Sequence, residues 1–253
     1  MNDLLQVLLA NIVLTSLVWL LATWRRDVSL IDLVWPLLFV LAAWIWFDPA
    51  TTNLSHWLVL LLVMAWGARL HIHLARRNLG HGEDRRYQEI RANHSPGFWW
   101  KSYFIVFLLQ GVLAWIASLA IYGALTSAQS NPWFAFPGLL LALGGLVYEA
   151  VADRQLERFK AAPESAGQVM DTGLWRLSRH PNYFGECCFW WGIYIAALPT
   201  GWWTLVAPLL VTLLLLRVSG VSLLEKDIGE RRPAYRRYIQ DTPAFVPDFS
   251  RIL

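Results

Sequence analysis

Apolar residues fall in seven long runs along this chain, each ended by a short polar stretch. The runs are Leu4–Trp24, Leu30–Phe47, Leu54–Leu74, Phe98–Tyr122, Trp133–Ala152, Tyr183–Pro199 and Trp202–Leu223. About twenty apolar residues in a helix cross the hydrocarbon core of a bilayer. The pattern therefore predicts an all-α polytopic integral membrane protein, with seven transmembrane helices in one membrane domain and a tail over 224–253. The first run has no basic segment ahead of it and no small-residue cleavage site, so it reads as a span and not as a cleaved signal.

The polar stretches fix a predicted orientation. Asp48–Asn53, Gly123–Pro132 and Thr200–Gly201 contain no Lys or Arg, and all 21 basic residues lie on the other side or just inside it. Basic loops stay in the cytoplasm. The N-terminus is expected outside and the C-terminus inside.

Composition narrows the class further. With 57% hydrophobic and only 15% charged residues, and a mean hydropathy of +0.41, the chain carries too little charge for a soluble domain of its size. The net charge of +3 follows from the basic loops, and nucleic acid is not an expected partner. Cys187 and Cys188 are neighbours inside an apolar run, which points to neither a disulfide framework nor a metal site. There is no G-x-G-x-x-G after a strand, no P-loop and no H-E-x-x-H. A dinucleotide would have to sit among helices, its phosphates met by Arg and Lys.

Polar chemistry concentrates in Gly173–Glu186, GLWRLSRHPNYFGE, where Arg176, Arg179, His180, Asn182 and Glu186 precede an apolar run. Pro181 suits the first turn of a helix, which puts Asn182 and Glu186 one turn apart on one face. An amide and a carboxylate entering the membrane together, with cations at the mouth, suit a polar anionic ligand. Each residue alone also fits an ordinary interfacial role, a carboxylate snorkelling to the headgroups included. Asp32 is the one ionisable residue in the second run, in VSLIDLVWP. It serves either a helix N-terminus or a cavity. Trp66, Arg69, His73 and Arg76 make a polar stripe on the third helix, followed by a charged loop, Glu83 to Tyr87, whose mixed signs predict local ion pairs. Glu149 and Asp153 share a face of the fifth helix, with Arg158 and Lys160 beyond them. They either receive hydroxyl groups of a ligand or pair with neighbouring arginines. The tail carries Glu225, Lys226, Tyr235 and several arginines, and its apolar end, AFVPDF, predicts docking.

These residues together resemble the membrane steroid 5-alpha-reductase family, and in particular its bacterial branch. The likeness rests on GLW and RHPNYFGE, the upstream acidic pair, SGVSLLEK and FVP downstream, and the GEDRRY and DLVWP segments, so it covers nearly the whole chain. It implies a monomeric reductase of the bacterial inner membrane whose cofactor site faces the cytoplasm. The implied reaction uses NADPH to saturate the carbon–carbon double bond of a 3-oxo-4-ene steroid or a similar lipophilic enone, with membrane lipid as surroundings. By that resemblance Asn182 and Glu186 hold the nicotinamide end and Asp153 the adenosine part, while Lys160, Arg179 and Arg217 meet phosphates. Arg158, Arg176, His180, Glu225, Lys226 and Tyr235 complete the expected cofactor set. Glu149 stands where the family has Asn. Asp32 matches the family's substrate-side carboxylate, and is expected at the carbonyl oxygen, protonated or through a bridging donor. The partner tyrosine falls at Trp66, which leaves Tyr87, Tyr183 or a water held by Asp32 as proton donor, or else a different substrate. Hydride transfer to an enone places negative charge on the carbonyl oxygen, and a donor in a dry cavity stabilises it strongly. R-H-P-x-Y also occurs in membrane methyltransferases of the isoprenylcysteine type, so an S-adenosylmethionine enzyme is the competing reading. A non-catalytic sterol or lipid carrier is the third.

Overall fold

The computed structural model describes residues 3–127, 131–218, 220–226 and 228–252. Positions 128–130 of the second connection without Lys or Arg, 219 of the last run, and 227 and 253 of the tail lie outside them. All regular structure among the described residues is helical. Five helices are long and apolar enough to cross a membrane: Asp3–Arg25, Leu54–Asn78, Phe98–Thr126, Pro132–Ala161 and Trp202–Glu230. Large apolar side chains point outward along them, Leu17 at 58% and Leu140 at 71% exposure. A water-soluble fold does not expose residues this way, so the protein is polytopic and membrane-embedded. Two of the seven expected spans are shorter helices, Leu30–Trp46 and Pro181–Ala197, of 17 residues each. At 1.5 Å per residue they reach about 26 Å, against about 30 Å of hydrocarbon.

The chain divides into two compact units. The first comprises residues 1–131 and 197–204. It holds α1 (Asp3–Arg25), α2 (Leu30–Trp46), α3 (Leu54–Asn78) and the short α4 (Arg85–Asn93). Beyond these, α5 (Phe98–Ser102), a π-helical stretch Tyr103–Leu108, α6 (Leu109–Ala117) and α7 (Leu119–Thr126) together make the fourth apolar run. Asn53 starts α3 by accepting from the backbone N–H groups of Ser55 and His56 at 3.0 and 3.2 Å, two of the four donors a helix start leaves free. Asp84 does the same for α4 through the Arg86 N–H, 2.9 Å. Helix α1 packs on α2 and on α6. At the second contact Gly111 comes so near Thr15 that an added Cβ would lie 3.2 Å from its hydroxyl. The core at one end gathers Val18, Ala22, Val28, Ile31, Tyr87, Phe98, Val106 and Phe107. Helix α4 is mostly polar, and it meets this core through Tyr87, which is buried, and Ile90, which packs against it.

The second unit comprises residues 132–196 and 205–253. Its frame is α8 (Pro132–Ala161) against α10 (Pro181–Ala197), joined by a loop and the short α9 (Leu174–Leu177). The two helices touch backbone to backbone. A Cβ on Gly192 would lie 2.4 Å from the Ala142 nitrogen, and one on Gly185 would lie 2.6 Å from the Glu149 nitrogen. Glycines seven apart on α10, and Gly138 and Gly145 seven apart on α8, make this possible, as small residues do wherever membrane helices cross closely. The last run is broken: α11 (Val206–Leu213) passes into a π-helical stretch, Leu214–Val218. The tail then forms α12 (Val221–Glu225), α13 (Ile228–Arg231) and α14 (Tyr235–Asp241). It is docked, as its apolar end predicts. Arg179 N–H donates to the Pro243 carbonyl and Asp248 N–H to the Leu177 carbonyl, both 2.9 Å.

Candidate functional site

In the first unit, Asp32 sits in the opening turn of α2 and joins a charged cluster. Its Oδ2 accepts from Arg86 Nη2 at 2.5 Å and its Oδ1 from the Tyr87 hydroxyl at 2.6 Å. Gln110 Nε2 donates to the same phenol oxygen at 3.2 Å. The carboxylate side chain is 13% exposed and Tyr87 is buried. A buried carboxylate is tolerated when paired and hydrogen-bonded. Asp32 is therefore the ion-paired partner of Arg86 and the acceptor of the Tyr87 hydroxyl proton. Burial, and after it the charge of Asp32, push the phenol well above the ordinary tyrosine value. Trp66 is fully buried, its ring edge-on to Phe39 at 5.4 Å.

The loop that carries Arg86 and Tyr87 is fixed by the ion pairs its charges predict. Arg91 forks onto Glu83, Nε to Oε2 at 2.9 Å and Nη2 to Oε1 at 2.7 Å, while Glu83 Oε1 also accepts the Val28 N–H at 2.9 Å. The Ser29 hydroxyl accepts the Asp84 N–H at 2.8 Å. Two bonds, at Val28 and Ser29, thus tie the loop ahead of α4 to the start of α2, and the Arg91 fork ties α4 to that loop.

In the second unit the glycine contact of α8 and α10 continues into polar residues. Asn182 Nδ2 donates to Asp153 Oδ1 at 3.0 Å. Glu149, buried, lies one turn earlier on the same face of α8, beside Gly185, and Glu186 follows one turn after Asn182 on α10, half-buried. Tyr183 stacks on the His180 ring, centroids 5.5 Å apart.

Arg179 has a different partner set from the phosphates its place in the motif implies. Its guanidinium forks onto Glu225, Nε to Oε1 at 2.7 Å and Nη2 to Oε2 at 2.8 Å. It also donates to the Ile239 carbonyl at 2.9 Å and to the Thr242 carbonyl. His180 Nε2 lies 2.9 Å from Glu225 Oε1. Four of the five donors of Arg179 are thereby taken, and the side chain is buried. Those bonds with Glu225 raise its affinity for the proton. The residues Arg179, His180 and Glu225 form a clasp between the motif and the tail.

A cavity of about 400 Å³ opens beside the end of α8. Lys160, Arg232 and Tyr235 stand on its wall with Phe159, Trp175 and the backbone of the 161–170 loop. Burial first, and the nearby Glu225 second, push the Tyr235 phenol up to about 12. Its volume is within the range of small-molecule sites. Two cations beside aromatic rings form a donor set that fits a phosphorylated nucleoside. Arg158, Arg176, Arg217 and Lys226 are exposed, and no ion pair joins them to the other residues of this group among the described residues. One residue of these clusters, Gln110, was not singled out by its pattern, whereas Arg86 belongs to the charged loop expected to form ion pairs and Arg232 to the basic tail.

An all-helical polytopic membrane protein with one buried Asp–Arg–Tyr–Gln cluster and one amide–carboxylate pair beside a basic cavity is the class these features define. The chain belongs to the DUF1295 family, described as proteins of unknown function, whose profile covers residues 18–242. That family lies in the steroid 5-alpha-reductase-like group of membrane proteins. An uncharacterized protein of Schizosaccharomyces pombe (strain 972 / ATCC 24843) is 25% identical over 273 aligned positions, covering 95% of this chain and 78% of the relative. No solved structure matches the chain.

Proposed function

We propose that this protein is an NADPH-dependent reductase that saturates the carbon–carbon double bond of a lipophilic enone, a 3-oxo-4-ene steroid or a lipid of similar shape. The observation that carries this reading is the 2.6 Å bond between Tyr87 and Asp32. The reductase resemblance calls for a tyrosine beside a membrane carboxylate, and the sequence puts Trp66 where that tyrosine is expected. Tyr87 supplies the missing phenol from α4 instead.

The work of this chain's residues follows from their chemistry. Lys160, Arg232 and Tyr235 would hold the phosphates and adenosine portion of the dinucleotide, and Asn182, Glu186 and Asp153 its nicotinamide and ribose groups. When bound, the cofactor supplies a hydride. The Tyr87 hydroxyl donates its one proton to Asp32 Oδ1 in the ligand-free cluster, and it would turn that proton from Asp32 to the developing enolate. Asp32 and Gln110 fix the direction of that phenol, and Arg86 balances the charge of Asp32, which keeps the carboxylate an acceptor. Exclusion of water by the surrounding apolar side chains strengthens a hydrogen bond to the enolate oxygen. The same reading carries seven spans, with the N-terminus outside and the basic side in the cytoplasm of a bacterial inner membrane.

The test is direct. Protein purified in detergent is mixed with NADPH and cholest-4-en-3-one, and loss of reduced-nicotinamide absorbance is followed with identification of the product. NADPH is expected to raise the thermal midpoint and S-adenosylmethionine to leave it unchanged. Stabilisation by S-adenosylmethionine alone would transfer the protein to the methyltransferase reading.

A further inference from the structure

A recess of about 290 Å³ lies in the first unit between the end of α1 and the start of α5, and no residue of the Asp32 cluster lines it. Thr23, Arg26, Arg91, Phe98, Trp99 and Ser102 line it. Helix α1 ends just above it in a turn whose bonds define a Schellman cap: Asp27 N–H donates to the Ala22 carbonyl at 3.0 Å and Arg26 N–H to the Thr23 carbonyl at 3.3 Å. The residue at the left-handed corner of such a cap is usually glycine. Here it is Arg26, with φ of 56°, a conformation a side chain resists. A local rule broken this way points to something the side chain does.

The neighbouring acids do not answer that side chain. Asp27 Oδ1 accepts from the Ser29 N–H and hydroxyl at 2.9 and 2.6 Å. Glu83 is taken by Arg91 and by the Val28 N–H. Arg91 is held in place, its guanidinium 4.6 Å over the Phe98 ring. Arg26 makes no side-chain hydrogen bond or ion pair among the described residues and is exposed. The recess is thus lined by one fixed, compensated cation and one uncompensated cation.

The surroundings show which anion fits. Trp24, Trp99 and Trp100 are 77, 60 and 47% exposed at this end of the helices, and exposed tryptophans gather where lipid tails meet headgroups. We propose that this recess binds the phosphate of an anionic phospholipid headgroup, with Arg26 as its principal ligand and the exposed tryptophans beside the acyl chains. Nothing in this inference depends on the reductase reading.

The test uses the full chain in detergent with equimolar phosphatidylglycerol and phosphatidylcholine, counting retained lipid by native mass spectrometry. Wild type should retain phosphatidylglycerol preferentially. Arg26→Gly should lower that retention about fivefold, the weight of one basic side chain near an anionic surface, without changing phosphatidylcholine retention. Glycine suits the left-handed corner, so this variant should fold at least as stably as wild type in phosphatidylcholine. Arg26→Gln gives a second removal of charge and should show the same loss. Equal retention by wild type and both variants, or no preference for the anionic lipid, overturns the proposal. Protection by inorganic phosphate that equals protection by phosphatidylglycerol, and vanishes in Arg26→Gly, assigns the recess to a free anion and overturns the lipid.

Discussion

Tyr87, Asp32, Arg86 and Gln110 have one proton donor among them suited to an enolate, and the phenol's raised proton affinity keeps that donor loaded. Tyr87→Phe removes only the hydroxyl and keeps the ring in its core position. It is expected to cut enone turnover about a hundredfold or more, the usual weight of a positioned acid, with the apparent KM for NADPH unchanged. Unchanged turnover in a folded variant would remove Tyr87 from the chemistry. Because the phenol titrates above its ordinary value, wild-type turnover should show no loss attributable to Tyr87 ionising below about pH 10. Asp32→Asn tests the other side of the bond. It removes the charge that Arg86 Nη2 meets at 2.5 Å and is expected to lower the thermal midpoint of the purified protein, since losing one partner of a desolvated ion pair is destabilising. Of these residues Asp32 stood out in the sequence, since a carboxylate in an apolar run always demands a partner. Gln110 did not. An uncharged amide in a span is unremarkable until a π-helical stretch ahead of it, Tyr103–Leu108, sets the direction of the following turn.

Among the elements, the pair α8 and α10 decides where the amide and carboxylates of the second unit meet. Because a Cβ on Gly185 would lie 2.6 Å from the Glu149 backbone nitrogen, Gly185→Ala must push the helices apart. It is expected to destabilise the protein by about 1–3 kcal/mol, to lengthen the Asn182–Asp153 bond and to weaken NADPH binding. Full retention of NADPH affinity would separate that pair from the cofactor. One guanidinium carries much of the side-chain hold on the tail: Arg179→Ala removes the fork onto Glu225, leaving His180 as its partner, and frees the carbonyls at the end of α14. Limited proteolysis should then cut near residue 232 sooner than in wild type, whereas Arg237→Ala, on the exposed face of α14, should leave cleavage unchanged. Tyr235 on the same helix gives a pH signature. Its folded value of about 12 lies above the ordinary 10, so its contribution to stability is complete below about pH 10 and is lost as pH rises through 12. Tyr235→Phe should flatten alkaline destabilisation in that window. Periodicity and apolar length predicted the long helices within a few residues. They could not predict the extension of α8 through Ala161, because Arg154 to Lys160 are good helix formers that carry too much charge to read as span. Nor could they predict the clasp, since Arg179 and Glu225 lie 46 positions apart and an arginine in a basic motif looks the same whether it awaits a phosphate or already holds a carboxylate.

For the whole molecule, the reductase reading divides labour between the two units, and that division can be measured before the natural substrate is known. The residues proposed for the dinucleotide (Asp153, Lys160, Asn182, Glu186, Arg232 and Tyr235) all lie in the second unit, while Asp32, Arg86, Tyr87 and Gln110 all lie in the first. Binding of a ligand slows hydrogen exchange where it stabilises structure. NADPH alone should therefore protect peptides spanning 153–186 and 228–240, and the same protection should persist in Tyr87→Phe. Lys160→Ala combined with Arg232→Ala should abolish it while leaving 30–46 and 85–93 unaltered. Weaker dependence on NADPH than on NADH would argue that the cations of the cavity do not read the extra phosphate, since each charge-assisted contact to a phosphate strengthens with its charge. Protection confined to the first unit would contradict the assignment of the cofactor altogether, because no residue proposed to touch it lies there.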